Sequence, residues 1–360
     1  MLSSSELRQV LVVDDSSFYR RMLSEIIERS GRYSIAGVAV DGMDCLRQLH
    51  ELPPVLVTTD LSMPGLSGLE MIGYIMSEIP RPIVVISSWA GSGSPTAIRA
   101  LELGAVELVA KDFREGFAPN PAFDSRVLKA LDIAAASHPD RQPAFIGSER
   151  TDTQWIASAA RPEVCVVIAA STGGPRALAE LLPAIPRGLG IAVCVVQHLP
   201  QGFTRGMVER LDKLCALRVT EASDGLPLLA DNIYLAPGGL HLKITGTVQG
   251  LRLELSEEPP IHGVRPAADP LFEAAARIFG PRTLAVVMTG MGKDGCQGVR
   301  TVKANGGYCL AQTPETAVAI GMPTAAIATG LVDSVLPLTE LAGEIADVAR
   351  RVIAQYRILA

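Results

Sequence analysis

Over the first part of the chain, short apolar runs alternate with segments in which apolar residues recur at helical spacing. Short β-branched or apolar runs, typical of buried parallel strands, are each followed by a segment with apolar residues at helical spacing, such as Met22, Leu23, Ile26 and Ile27. Five consecutive strand–helix units predict a parallel sheet with helices on both faces. The predicted strands are residues 10–13, 35–39, 55–58, 83–86 and 107–109.

A second series of the same kind starts at Val164. Its apolar runs predict parallel strands at 164–169, 191–196 and 284–288, with helices from Pro175, from Gly202 and after Asp294. Three further segments around Pro237-Gly238-Gly239 alternate like β-hairpin strands: residues 232–236, 240–245 and 251–255. The fold class is therefore predicted as α/β. An N-terminal (βα)5 domain precedes a C-terminal domain with a doubly wound parallel sheet and an antiparallel β-ribbon insertion.

The alternation fails between residues 137 and 161, where Pro, Ser, Asp and Arg are frequent. We predict a first domain over 8–136, a linker over 137–161 and a second domain over 162–357. The 360 residues suit two domains that each bury their own core.

Composition and charge narrow the class of partners. A net charge of -6 and the lack of a Lys/Arg run predict no nucleic-acid binding, and no apolar run is long enough for membrane insertion. The polar N-terminus has no signal-peptide pattern, and six widely spaced cysteines without a CxxC pair are typical of reduced core thiols. We expect a cytoplasmic protein.

Polar residues collect where the first-domain strands end. Asp14 and Asp15 follow the first strand, Asp60 the third, Ser87 the fourth and Lys111 the fifth. These ends share one sheet edge, and converging carboxylates favour a Mg²⁺ ion. The pattern predicts a phosphoryl-transfer site with Asp60 as nucleophile and with Ser87 and Lys111 binding phosphate oxygens. Acids at strand ends also cap helices, which is the alternative for each residue alone.

With Met63-Pro64 and Gly68 after Asp60, these positions resemble the response-regulator receiver family over about the first 115 residues. The resemblance implies that Asp60 is phosphorylated by a histidine kinase. It also implies that Asp14 and Asp15, beside Asp60, hold Mg²⁺. The sequence departs from the family after Lys111, where Asp112 replaces the usual proline.

A glycine-rich turn ends the first strand of the second domain, in Ser171-Thr172-Gly173-Gly174-Pro175. A strand that runs directly into a helix leaves Ser171 at the sheet edge beside backbone N–H groups. Such a turn also resembles a phosphate cradle. It lacks the GxGxxG pattern and a Walker lysine, so nucleotide binding remains only an alternative.

Two further residues point to nucleophilic catalysis at the same edge. His198 ends the next strand, and Asp294 lies in a glycine-rich loop after another strong strand. Ser171, His198 and Asp294 are thus a candidate nucleophile, base and orienting acid. A structural role for His198 and a helix-capping role for Asp294 are the alternatives.

Three segments resemble the catalytic motifs of the chemotaxis methylesterase family: residues 171–175, 197–200 and 290–295. The resemblance covers about 164–353 and implies that Ser171 is the nucleophile, His198 the general base and Asp294 the orienting acid. It also implies that Thr172 and Met291 line the site, with the Met291 N–H as an oxyanion donor. No cofactor is expected in this domain.

The resemblance implies hydrolysis of glutamyl methyl esters, and deamidation of glutamines, on methylated chemoreceptors. Two sites joined by a linker suggest that the unphosphorylated first domain covers the second site and that phosphorylation of Asp60 uncovers it. One alternative is a non-enzymatic module switched by phosphorylation; another is a nucleotide-binding output domain. A transcription factor is disfavoured because the second half is acidic and has no basic recognition helix.

Overall fold

The computed structural model describes residues 7–52, 55–88, 94–111, 120–141, 160–247 and 250–359, with no side-chain detail at 247, 358 and 359. Two compact units emerge from the contacts, Met1–Ala144 and Phe145–Ala360. Most of the predicted linker, residues 142–159, lies outside the described residues, as does Asp112. The last described residues of the first unit, Pro139–Arg141, form a short 3-10 helix.

In its described residues the first unit is a five-stranded parallel sheet with five α-helices, as predicted. Its strands are β1 (Arg8–Val13), β2 (Tyr33–Ala39), β3 (Leu56–Thr59), β4 (Ile83–Ser87) and β5 (Glu107–Ala110). Its helices are α1 (Ser17–Arg29), α2 (Gly42–Glu51), α3 (Gly68–Glu78), α4 (Pro95–Leu103) and α5 (Pro121–Ala135).

Local sequence signals explain where several of these helices begin. Ser67 and Glu70 form a reciprocal capping box at α3, and Ser94 accepts a backbone N–H one residue before Pro95 opens α4. The strand order β2-β1-β3-β4-β5 reverses direction between β1 and β3. Ligands of open parallel sheets bind at such a reversal, beyond the carboxyl ends of the strands.

Over residues 160–247 and 250–359, the second unit is built on a seven-stranded parallel sheet and a two-stranded antiparallel ribbon. Its strands are β6 (Val164–Ala170), β7 (Ile191–Gln197), β8 (Arg218–Glu221), β9 (Asn232–Leu235), β10 (His241–Thr247), β11 (Gly250–Ser256), β12 (Thr283–Val287), β13 (Tyr308–Gln312) and β14 (Ser334–Leu336). Its helices are α6 (Gly174–Leu181), α7 (Thr204–Leu214), α8 (Ala268–Phe279), α9 (Cys296–Ala304), α10 (Gly321–Ile327) and α11 (Leu338–Leu359).

The large sheet reverses direction beside its first strand. In the order β14-β13-β12-β6-β7-β9-β8 the chain moves outward from β6 to one edge and then returns through β12 to the other. β6 and β7 are buried at every position. Such continuous burial is what a parallel strand covered by helices on both faces requires. The reversal point of this sheet therefore lies among β12, β6 and β7, and the carboxyl ends of these strands are where a site is expected.

One strand assignment from the sequence is wrong. Residues 232–236 were expected in the antiparallel ribbon, yet Asn232–Leu235 pairs in parallel with both β7 and β8. Its last three residues are all buried, so the side chains pack on both faces of the large sheet. The hairpin prediction is confirmed for β10 and β11, which pair from His241↔Ser256 to Thr247↔Gly250.

The six cysteines lie within the described ranges. All six cysteines are free thiols, and five of them are buried. Among the helices in the described ranges, none is both long and apolar enough to cross a bilayer.

Candidate functional site

Three carboxylates meet at the reversal point of the first sheet. Asp14 and Asp15 follow β1 and Asp60 follows β3, and one oxygen from each lies within 4.8 Å of the others. Asp14 and Asp60 are buried, whereas Asp15 is exposed. Burial, together with the nearby Asp60 charge, raises the pKa of Asp14. An all-oxygen set of this size and charge suits a hard divalent cation such as Mg²⁺.

Lys111 adds a positive charge to this cluster. Its Nζ lies 2.8 Å from Asp14 Oδ2, also pairs with Asp60 Oδ2, and sits 4.2 Å above the Tyr19 ring. Burial alone disfavours the ammonium, but the hydrogen bonds with the two carboxylates outweigh it and raise the pKa of Lys111. The lysine is held charged beside the Asp60 carboxylate.

The remaining predicted residue of this site is Ser87. It is fully buried at the end of β4, and its carbonyl oxygen accepts the backbone N–H of Lys111 at 3.1 Å. Asp60 Oδ1 accepts the N–H groups of Leu61 and Ser62 at 2.6 and 3.2 Å, which orients the carboxylate at the strand end. The structure therefore brings the predicted receiver residues to one edge.

In the second unit, β6 and β7 place Ser171 and His198 side by side. The register ends with the pair Ala170↔Gln197, so Ser171 and His198 are the next residues on the two strands. The Ser171 N–H donates to Thr289 O at 2.9 Å, and its carbonyl accepts the Gln197 side-chain amide at 2.9 Å. These bonds fix the Ser171 backbone at the sheet edge.

A glycine just beyond β12 lets that strand's loop approach the serine. A Cβ atom on Gly290 would lie 2.7 Å from Ser171 Cβ, so only glycine fits there. Gly173, in the turn after Ser171, has φ +76°, a left-handed conformation that suits glycine. Pro175 falls in the first turn of α6, as the sequence predicted.

His198 and Asp294 are directly bonded. His198 Nε2 lies 2.7 Å from Asp294 Oδ2, and the two side chains are only 11% and 2% exposed. Because Nε2 is bound to the carboxylate, Nδ1 is the ring nitrogen that remains for the Ser171 hydroxyl. No hydrogen bond between that hydroxyl and His198 is present in the described part of the chain.

Asp294 is held by backbone as well as by the imidazole. Its Oδ2 also accepts the Ala268 N–H at 2.7 Å, and its Oδ1 accepts those of Asp269 and Gly295 at 3.3 and 2.9 Å. Burial would raise its pKa, but the hydrogen bond to His198 and the N–H groups of Ala268 and Asp269 outweigh burial and lower the pKa of Asp294. The carboxylate is therefore ionised and rigid. Its side chain accepts the first two N–H groups of α8. The sequence also allowed Asp294 to cap α9, but no side chain caps that helix.

Thr172 and Met291 flank this group. Thr172 is buried and its carbonyl accepts the Thr289 hydroxyl at 2.8 Å, whereas Met291 is half-buried. The N–H groups just before Met291 are occupied: that of Thr289 by Gln312 Oε1 and that of Gly290 by Ala319 O, both at 2.9 Å. The Met291 N–H has no acceptor among the described residues.

Family models match both halves of the chain. The response regulator receiver domain model matches residues 10–116, and the CheB methylesterase model matches residues 166–345. This chain belongs to the CheB methylesterase family. The sites described above fall within these two matches.

Relatives of the family extend over nearly the whole chain. The protein-glutamate methylesterase/protein-glutamine glutaminase of Geobacillus kaustophilus is 40% identical over 346 residues, covering 94% of this chain and 97% of its own. The Pyrococcus horikoshii protein of the same name is 38% identical over 340 residues, 92% of this chain and 91% of its own. The crystal structure of the Thermotoga maritima CheB methylesterase catalytic domain has 39% identity and a TM-score of 0.51, covering 51% of this chain and 98% of its own.

Two parts of this CheB-family site were missed from the sequence. Gln197 is buried and its amide donates to both Ser171 O and His198 O, so it ties the two strand ends together. The segment before α10 forms a wall of the site through Ala319, whose N–H and C=O bond Thr289 Oγ1 and Gly290 N. Gln197 lay inside a motif and was detectable, whereas Ala319 carries no chemical signal.

Proposed function

We propose that this chain is a phosphorylation-regulated protein-glutamate methylesterase and protein-glutamine glutaminase acting on methylated chemoreceptors. The observation that carries the proposal is the buried His198–Asp294 bond of 2.7 Å at the sheet edge that also presents Ser171. The names of the relatives supply protein glutamate and glutamine side chains as the substrate class, and the motif resemblance adds chemoreceptors as the proteins that carry them. We assign the receiver to residues 8–136, the linker to 137–161 and the catalytic domain to 162–357. The family matches lie inside these bounds.

The proposed reaction begins with proton transfer to His198. The ionised Asp294 accepts the Nε2–H, so Nδ1 is the basic nitrogen that takes the Ser171 proton. The Ser171 oxygen then attacks the γ-carbonyl carbon of a glutamyl methyl ester and forms a tetrahedral oxyanion. Asp294 stabilises the imidazolium that results.

Collapse of this intermediate expels methanol, which takes its proton from His198. Water then attacks the acyl-Ser171, again with His198 as base, and releases the glutamate side chain. With a glutamine substrate the same steps release ammonia. The backbone N–H of Met291 is our candidate oxyanion donor, since the N–H groups of Thr289 and Gly290 are already bonded.

Methanol release from methylated receptor membranes tests the proposed activity. We expect the purified chain with a small phosphodonor to release methanol in proportion to enzyme concentration. A module that only docks its partner would bind the membranes and release none, which would refute the enzyme proposal. A nucleotide-binding output domain would instead show a nucleotide-dependent rise in melting temperature.

The receiver proposal assigns Asp60 as the phosphate acceptor. Its carboxylate oxygen attacks the phosphorus of the donor, and the donor's leaving group departs. Lys111 and the Ser87 hydroxyl then bind phosphoryl oxygens. Asp14, Asp15 and Asp60 are the residues that would hold Mg²⁺, which neutralises negative charge on the phosphoryl group when bound. The phosphodonor partner is a chemotaxis histidine kinase.

Replacing Asp60 by asparagine tests the coupling between the two domains. The amide keeps the shape of the side chain but cannot be phosphorylated, so we expect Asp60→Asn to stay at basal esterase activity with a phosphodonor. The wild type should rise by about 5- to 150-fold, the usual range of such couplings. Asp124→Asn, which breaks an exposed pair with Arg29, is the matched control and should respond like the wild type. Equal stimulation of Asp60→Asn would refute the coupling.

Asp15 offers a test of the proposed Mg²⁺ site. Lys111 pairs with Asp14 and Asp60 rather than with Asp15, so Asp15→Asn removes a ligand without breaking that pairing. We expect about ten-fold weaker Mg²⁺ binding by calorimetry, because Mg²⁺ is held by few carboxylates. Unchanged affinity, with Asp124→Asn as the control, would exclude Asp15 as a ligand.

A further inference from the structure

A second histidine–aspartate pair, His262 and Asp269, lies next to Asp294. His262 Nε2 is 3.3 Å from Asp269 Oδ2, and the ligand atoms of His262, Asp269 and Asp294 lie within 4.8 Å of one another. The Asp269 side chain is 6% exposed and that of His262 is 35% exposed. Burial and the nearby Asp294 charge raise the pKa of Asp269, while His262 opposes this. The family motifs discussed above do not include this pair.

Asp269 connects the elements that hold Asp294. Its N–H donates to Asp294 Oδ1 at 3.3 Å, and its own Oδ1 accepts the Gly298 N–H at 2.8 Å. The first contact is at the start of α8 and the second is in the first turn of α9, the helix that follows Asp294. Asp269 therefore holds Asp294 through its backbone N–H and holds the first turn of the following helix through its side chain.

A tight turn presents His262 to Asp269. Ile261 and Val264 exchange backbone hydrogen bonds of 3.1 and 3.0 Å across His262-Gly263. Both turn residues have positive φ, +53° and +80°, as a type I′ turn requires. Asn or Asp is favoured at the first of these positions in a type I′ turn.

The cluster is not built as a metal site. Asp294 accepts four hydrogen bonds, from His198, Ala268, Asp269 and Gly295, which use the four acceptor positions of a carboxylate. A cation would have to displace one of them. The geometry therefore favours a supporting role for His262 over a ligand role.

We propose that His262 is a positioning residue for the esterase reaction. It donates its Nε2–H to Asp269 and keeps that carboxylate on Gly298, and thereby sets how Asp294 meets His198. This inference rests on the proposed function. It concerns the rate of the chemical step, because the bonds involved run to Asp294 and Gly298.

Two substitutions of His262 distinguish the effect of its hydrogen bond to Asp269 from its effect on the turn conformation. His262→Asn suits the turn but is too short to reach Asp269, whereas His262→Gln places an amide N–H near the position of Nε2. We expect His262→Asn to lower kcat about ten-fold at constant KM, since small displacements of catalytic groups are costly. His262→Gln should recover kcat to within about three-fold of wild type by the same reasoning. The loss stays moderate because Asp269 also lines a cavity of about 300 Å³ that can admit a replacing water.

Each outcome has a definite meaning. Wild-type kcat in His262→Asn, an equal loss in both variants, or a change in KM alone would overturn the proposal. Imidazole ¹⁵N NMR gives a reading without substrate: the His198 Nε2 resonance should shift in His262→Asn and return in His262→Gln. Unchanged His198 resonances would overturn the inference alone, whereas absence of methanol release from the wild type would overturn the proposed function.

Discussion

Replacing Ser171 by alanine is expected to lower kcat for methanol release by about 10⁴-fold or more, because loss of a serine nucleophile leaves only binding and oxyanion stabilisation. The fold should be unaffected. The backbone groups of Ser171 that bind Thr289 and Gln197 are retained, and its hydroxyl has no hydrogen-bond partner in the described ranges. A methanol-release assay on methylated receptor membranes measures the loss.

Two controls make this result specific. Ser256→Ala makes the same chemical change on the ribbon strand β11 and should retain wild-type activity. Phosphorylation of Asp60 should proceed normally in Ser171→Ala, because the two sites lie in separate units. Retained methanol release in Ser171→Ala would remove that residue from the nucleophile role.

The second large effect is expected for Asp294→Asn. Each Asp294 oxygen accepts at least one backbone N–H, from Ala268 on one side and from Asp269 and Gly295 on the other. An asparagine must therefore point its amide at a backbone donor in either orientation. It also replaces the charge that fixes the His198 tautomer. We expect kcat to fall by about 10³- to 10⁴-fold and the fold to lose about 1–3 kcal/mol.

A matched control separates stability from catalysis. Asp333 also pairs with a cation, Lys303, and accepts a backbone N–H, that of Cys309. Asp333→Asn should lower the melting temperature while kcat stays at the wild-type value. If Asp294→Asn kept full kcat, or if Asp333→Asn lost as much, the orienting role of Asp294 would be excluded.

The alternating pattern was enough to predict most of the secondary structure. Each predicted parallel strand is present, with ends that differ by no more than two residues, because buried parallel strands are continuous apolar runs that few other elements resemble. The segment 232–236 was misplaced because periodicity reports which faces of a strand are buried. It does not report which strand is the partner. Edge strands such as β8 and β14 are short and contain exposed or half-buried residues, so they show no continuous apolar run in the sequence.

Some residues of the candidate sites were predictable from the sequence and others were not. Residues that directly follow strands, such as Asp60, Ser171 and His198, were predictable, because in a parallel sheet chain position alone assigns them to one edge. The supports of Asp294 were not predictable. Asp269 and His262 lie 25 and 32 residues before it in the sequence and meet it only through the packing of α8 against α9.

By itself the sequence determined the two α/β units, the acidic receiver pocket and the motifs that carry Ser171, His198 and Asp294. Only the tertiary structure decided that Nε2 of His198 bonds the carboxylate, and that Asp294 is held by the start of α8. The physical reason is that side-chain periodicity encodes burial along one element. Hydrogen bonds between distant loops depend instead on how the elements pack, and no local pattern records that.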